Sequence, residues 1–98
     1  MMRNFGMRPL RMLYVENDAA LRKILGAMLV KSPEIEMLAD FGKSEEVLNR
    51  SLIKKADVAL IDFALESNGL NGVELGVALR NINEYIGIVI YSQFRCTH

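Results

Sequence analysis

Two patterns of apolar and polar positions alternate along the chain and together outline a fold. Met12–Val15 is a short apolar run of strand length. Asn17 or Asp18 then offers an N-cap, and Leu21, Ile24, Leu25, Met28 and Leu29 recur at helical spacing until Ser32-Pro33 stops the helix. Ile35, Met37, Ala39 and Phe41 alternate with Glu36, Leu38 and Asp40, a mostly two-residue period that predicts a half-exposed strand such as a sheet edge. Gly42 breaks this pattern, and Ser44 is placed to cap a second helix with Val47, Leu48 and Leu52 on one face. Val58–Asp62 and Ile86–Tyr91 are almost continuously apolar, which predicts strands buried on both faces. Between them the turn-rich stretch from Glu66 to Gly72 leads into a third helix with Val73, Leu75 and Leu79 inward.

The resulting order, β-α-β-α-β-α-β, predicts an α/β open parallel sheet wound on both faces with right-handed crossovers. No internal repeat, low-complexity segment or second domain interrupts it. Residues 1–10 read as an N-terminal extension, with Met7 opening MRPLRMLYV, and residues 11–98 as the globular unit.

Composition narrows the functional classes. A chain of 98 residues, 51% hydrophobic and 24% charged, is one ordinary globular domain with material for a core. Lys+Arg and Asp+Glu number 12 each, so no global field draws in nucleic acid or an anionic membrane, and neither is expected as a direct partner. Cys96 is the single cysteine, which rules out an internal disulfide and suits a reducing, cytoplasmic location. No apolar run approaches the roughly 18 residues of a membrane span. His98, the single histidine, stands at the chain end, which disfavours zinc sites and Ser-His-Asp hydrolysis. Neither GxGxxG nor GxxxxGK[ST] occurs, so dinucleotide and P-loop readings lack a phosphate cradle.

The candidate chemistry gathers at the strand ends. Ligands of open parallel sheets sit beyond the carboxyl ends of the strands, and there the sequence places Glu16-Asn17-Asp18, Asp62, and Ser92 followed by Gln93. Crowded carboxylates raise one another's proton affinity unless a cation joins them. Few, hard oxygen ligands favour Mg²⁺. A carboxylate beside Mg²⁺ with a hydroxyl nearby is suited to accepting a phosphoryl group on Asp62.

These residues resemble the receiver domain of two-component response regulators, of the kind that regulates chemotaxis. The resemblance rests on "MLYVEND" at the first strand, "VALIDF" at the third, "NGVEL" entering the third helix and "IVIYS" at the fourth strand. It rests also on spacing, 45 residues from Asn17 to Asp62 and 30 from Asp62 to Ser92, over about residues 11–93. It implies a flavodoxin-like doubly wound sheet of order 2-1-3-4, phosphorylation of Asp62 by a histidine kinase, and Ser92 as the switch hydroxyl. It further implies Mg²⁺ held by Glu16, Asn17, Asp62 and the backbone carbonyl of Ala64, with Asp18 able to swing in. The N–H groups of Ala64 and Gln93 would face phosphoryl oxygens. Full-length relatives often couple such a domain to a DNA-binding output for transcription regulation.

The sequence departs from the receiver pattern in four ways. Asn17 stands where a second acid is usual, Gln93 where a small residue is usual, and the loop from Asp62 to Gly72 is longer by one or two residues. The chain also reaches His98 just past the fourth strand, so the resemblance implies a truncated domain without the fifth strand, its lysine and the last helix. Lys54 and Lys55 lie at the wrong end of the sheet to replace that cation. An unpaired apolar fourth strand and an uncovered sheet face are expected to drive formation of a homodimer or higher oligomer. The alternative function, favoured by these departures, is a phosphorylation-incompetent pseudo-receiver serving as a dimerisation or protein-interaction module. A small Mg²⁺-dependent phosphatase of similar topology is a third, weaker reading. The bland roles are helix capping for Glu16-Asn17-Asp18, and core or rim packing for Tyr14, Tyr91 and the methionines.

Overall fold

The computed structural model describes residues 8–47, 49–65 and 69–92. Its elements are β1 (Leu10–Val15), α1 (Ala19–Val30), β2 (Ile35–Phe41), a 3₁₀ turn (Ser44–Glu46), α2 (Arg50–Lys55), β3 (Val58–Asp62), α3 (Gly72–Ile82) and β4 (Gly87–Tyr91). The strands form one sheet in the order β2-β1-β3-β4, every pair parallel. This is the flavodoxin-like, doubly wound arrangement expected from the sequence. The chain steps outward from β1 to β2 and then back past β1 to β3 and β4. Right-handed crossovers therefore put α1 on one face and α2 and α3 on the other. The reversal opens a crevice between the carboxyl ends of β1 and β3.

The two faces are unequally filled. On the α2/α3 face, Leu13, Val15, Val47, Ile53, Ala56, Ala59, Ile61, Leu65, Leu75, Leu79 and Ile86 form a continuous buried cluster. Asn83 closes this layer, its side-chain amide donating to the carbonyls of Ile53 and Ala56 at 3.0 Å each. On the α1 face Met12 and Tyr14 are buried, but no residue of α1 itself is. Ile24 and Met28, one helical turn apart, are 59% and 61% exposed.

Four expectations are corrected by this packing. The apolar positions of α1 do not all face the sheet: Leu21, Leu25 and Leu29 are half-buried, while Ile24 and Met28 lie on an exposed side. Ser44 does not cap the second helix. It is buried in the 3₁₀ turn, and the helix starts later, with the Asn49 side chain accepting from the Leu52 N–H; Leu48 lies outside the described residues. Val73 points outward, because it sits two residues, or about 200° around the helix, from the buried Leu75. Finally, β4 is not covered on both faces. Ile88 packs toward α3, whereas Val89 is 49% exposed on a strand whose one neighbour among the described residues is β3.

The mixed pattern of β2 has a structural cause. The β1–β2 register runs Met12 to Met37 and then Leu13 to Ala39, so Leu38 is an extra residue in the ladder. Such a bulge shifts the phase of alternation by one residue. Leu38, Ala39 and Phe41 accordingly pack against the main cluster, while Ile35 and Met37 lie outside it.

Candidate functional site

Glu16 and Asp62 meet at the crevice. In the β1–β3 ladder Val15 is level with Ile61, so the next residues on the two strands are these two acids. Both are almost fully buried, at 0% and 2% exposure. A buried carboxylate is costly unless several donors hold it, and the local chain provides them. The N–H of Ala64 donates to Asp62 Oδ1 at 3.1 Å, and the N–H of Asp18 donates to Glu16 Oε2 at 2.9 Å. The surroundings of Asn17 orient its amide with the nitrogen toward the acids, donating to Asp62 Oδ2 at 2.8 Å and Glu16 Oε2 at 3.2 Å. One neutral amide thus bridges the two carboxylates.

A third donor to Glu16 comes from β4. The Tyr91 hydroxyl donates to Glu16 Oε1, and the Tyr14 hydroxyl lies 3.4 Å from that of Tyr91. Because the Tyr91 proton is committed to Glu16, its oxygen accepts from Tyr14. Burial, and then the bond to Glu16, push the Tyr91 hydroxyl well above its ordinary proton affinity, so it stays a donor. Burial likewise raises Tyr14. Tyr91 also touches the end of β3 through its main chain, its carbonyl accepting from the N–H of Phe63 at 2.7 Å.

Two further contacts fix the frame. Arg22 on α1 donates to the Glu16 carbonyl at 2.7 Å and reaches Asp40 at 3.6 Å, tying together the ends of β1 and β2. Gly72, the first residue of α3, sits so close under the site that a Cβ there would lie 2.6 Å from the Asp62 carbonyl oxygen. The adjacent Asn71 caps α3 in a reciprocal pair with Glu74, at 2.8 and 3.0 Å.

Of the residues predicted from sequence, the structure brings together Glu16, Asn17, Asp62 and Ala64. Asp18 lies on the rim with its Oδ1 accepting from the Leu21 N–H as the α1 cap. Ser92 is exposed, one residue beyond the Asp62–Tyr91 register pair. Gln93, Cys96 and His98 lie outside the described residues, as do residues 1–7 of the N-terminal extension and Glu66, Ser67 and Asn68 of the long loop. Sequence reasoning missed Tyr91 and Arg22 as site residues. The only signals for them were a phenol directly before the strand-end Ser92 and a lone arginine among the apolar positions of α1.

The donor set fits Mg²⁺. Two carboxylates from neighbouring strands converge on one amide nitrogen, so a small cation at that point would reach both. The ligands are all hard oxygens, and such a site leaves most coordination to water. It is a sparse site: among the described residues no three His, Cys, Asp or Glu side chains converge as a metal-binding group.

The fold is shared with receiver domains. The chain is similar to the signal receiver domain of NarL from Mycobacterium tuberculosis, with a TM-score of 0.73 and 19% identity over 92% of this chain and 71% of that one. It is also similar to the receiver domain of a modulated diguanylate cyclase from Desulfovibrio desulfuricans G20, with a TM-score of 0.71 and 24% identity over 89% of this chain and 67% of that one. A CheY-like receiver domain protein from Methanospirillum hungatei JF-1 matches with a TM-score of 0.66 and 20% identity, over 90% of this chain and 67% of that one. In sequence, the chain is 24% identical over 86 residues to a protein-glutamate methylesterase/protein-glutamine glutaminase of Clostridium acetobutylicum. That match covers 88% of this chain but 24% of the relative, so the chain spans about a quarter of its length. No family model matches the chain. The resemblance to receiver domains seen in the sequence is therefore present in the three-dimensional fold as well. No helix among the described residues is long and apolar enough to cross a membrane.

Proposed function

We propose that this chain is the receiver module of a two-component response regulator and that Asp62 is its phosphoacceptor. The observation carrying this reading is the burial of Asp62 beside Glu16 at the switch point of a receiver-type sheet. In the transfer, the P–N bond of a partner kinase's phosphohistidine breaks and a P–O bond forms to an Asp62 carboxylate oxygen. The departing imidazole keeps the electron pair and takes up a proton. The Ala64 N–H holds the acceptor carboxylate in place, and Arg22 fixes the Glu16 main chain beside it. Glu16, Asp62 and the Ala64 carbonyl are the groups that would hold Mg²⁺, joined by the Asn17 side chain once its amide turns its oxygen inward, and the charge of the ion would offset that of the phosphoryl oxygens. Ser92, next in line after Tyr91, would serve as the switch hydroxyl that reports the modification.

The direct test is incubation with acetyl phosphate, or with beryllofluoride, in the presence of Mg²⁺. A hydroxylamine-sensitive adduct should form on the native chain with acetyl phosphate and be absent from Asp62→Asn. No Asp62-dependent adduct would overturn the phosphoacceptor reading. That result would favour the second reading, a phosphate-independent interaction module. The observation behind the second reading is that neutral donors from Asn17 and Tyr91 already hold both carboxylates.

A further inference from the structure

Tyr91 is bound to both halves of the site. Its carbonyl accepts from the N–H of Phe63, directly after Asp62, and its hydroxyl donates to Glu16 across the crevice. Two nitrogen donors, from Asp18 and Asn17, already occupy Glu16 Oε2. The other oxygen, Oε1, holds the Tyr91 hydroxyl, so a cation reaching Glu16 displaces either the Asn17 amide at Oε2 or this hydroxyl at Oε1. The oxygen of that hydroxyl in turn accepts from the fully buried Tyr14, which limits where the ring can go. Asn17 stands on the other side, its amide nitrogen at the point where the two carboxylates converge.

We infer that Asn17 and Tyr91 form a clamp of neutral donors in competition with a divalent cation, and that Tyr91 is the positioning residue linking cation occupancy to the end of β4. When a cation takes Glu16 Oε1, the hydroxyl gives up its carboxylate acceptor. The strand end just before Ser92 then loses its side-chain tie to Glu16 and keeps only the bond to Tyr14. The clamp explains how two buried carboxylates stand side by side: amide and phenol protons supply the positive ends of dipoles that oppose their mutual repulsion. It also sets a threshold, since Mg²⁺ must be present at a concentration that displaces the clamp.

This inference rests on the Mg²⁺ reading above, and its test separates the two. The chain has 3 tyrosines and no tryptophan, so its ultraviolet emission reports on Tyr14, Tyr85 and Tyr91. Tyr85, 87% exposed, is removed as background by Tyr85→Phe in every sample. Mg²⁺ is titrated calorimetrically and by tyrosine emission into this background and into chains also carrying Tyr91→Phe, Asn17→Asp or Tyr14→Phe. Circular dichroism confirms that each variant is folded. Tyrosine emission, quenched by the carboxylate bond, should rise as Mg²⁺ binds, and this response should vanish in Tyr91→Phe. The same variant should bind Mg²⁺ about tenfold more tightly, the scale of one charge-assisted hydrogen bond. Asn17→Asp should also bind more tightly, whereas Tyr14→Phe, which leaves the bond to Glu16 in place, should keep nearly the background affinity. Binding to Tyr91→Phe alone, with none to the parent chain, would support the clamp in its strongest form. Equal Mg²⁺ affinity with and without Tyr91→Phe, and no emission change, would overturn the clamp but not the metal site. No Mg²⁺ heat in any variant, Asn17→Asp included, would overturn both.

Discussion

Asp57 shows how a single side chain can anchor this sheet at the end away from the crevice. It accepts from Arg8 Nη2 at 2.9 Å and from the Arg11 N–H at 2.8 Å, and its own N–H donates to the Arg11 carbonyl. The Arg8 bond, against the cost of burial and with help from Arg11, lowers its carboxyl from 3.8 to about 2. A folded-state value below the unfolded one means that the contribution is complete above about pH 4 and is lost as pH falls toward about 2. Because the pair is largely solvated, the effect should be on the order of 1 kcal/mol. Urea denaturation at a series of pH values should show that loss in the native chain, and Asp57→Asn should flatten it. Asp62 and Glu16 obey different constraints at the other end. They are buried, and each accepts from neutral donors. Removing a bridging donor leaves a buried charge short of a partner, which is why Asn17 and Tyr91 matter beyond packing.

The elements derive their precision from a few non-apolar contacts. Helix α3 starts directly under the Asp62 loop, and this close approach is possible because Gly72 has no side chain. In Gly72→Ala the new Cβ would lie 2.6 Å from the Asp62 carbonyl and 2.9 Å from the Phe63 Cα, both main-chain atoms with little room to yield. The variant should be destabilised by roughly 1–3 kcal/mol, as overpacked sites are. Its Asp62 adduct yield should fall as well, measurable by intact-protein mass spectrometry beside a chemical melt. At the other end of α3, Asn83→Ala removes the two bonds that hold α3 to α2. Its cost should be about 1–3 kcal/mol, because the Ala56 carbonyl loses its side-chain donor and the Ile53 carbonyl keeps only the Ala56 N–H, and a denaturant midpoint shift would measure it. Element positions were legible in the sequence wherever the apolar period was clean, as in β1, β3 and α3. The start of α2 was not, because Ser44 and Asn49 are both acceptable caps. Ser44 instead opens a 3₁₀ turn, closed by Glu46 onto the N–H groups of Gly42 and Lys43.

At the scale of the whole molecule the sheet is asymmetric. One face carries the core, while the other is crossed, among the described residues, by α1 alone, and Ile24, Met28 and Val89 are exposed. Among the described residues β4 is an edge strand, and it reads Gly-Ile-Val-Ile-Tyr, with no charge or proline to discourage pairing. Self-association through this edge or the adjoining face is the expected consequence. Sedimentation velocity should show a concentration-dependent dimer or larger species, and Val89→Lys should return the chain to monomer by placing a charge on the edge. A native chain that stays monomeric across the concentration series would exclude it.

The α/β alternation and the gathering of Glu16, Asn17 and Asp62 at one rim are written in the chain itself, whereas the strand order 2-1-3-4 was implied by the family resemblance. The first two come from local periodicity and from the rule that ligands meet the carboxyl ends of parallel strands, so neighbouring residues carry the information. The tertiary structure decided what joins distant positions. Tyr91 and Glu16 are 75 residues apart, and nothing local to either residue predicts that a phenol on β4 reaches a carboxylate at the end of β1. The bulge at Leu38 and the exposure of one side of α1 are of the same kind. A residue's period says which neighbours share its face, but only the assembled sheet settles what stands opposite.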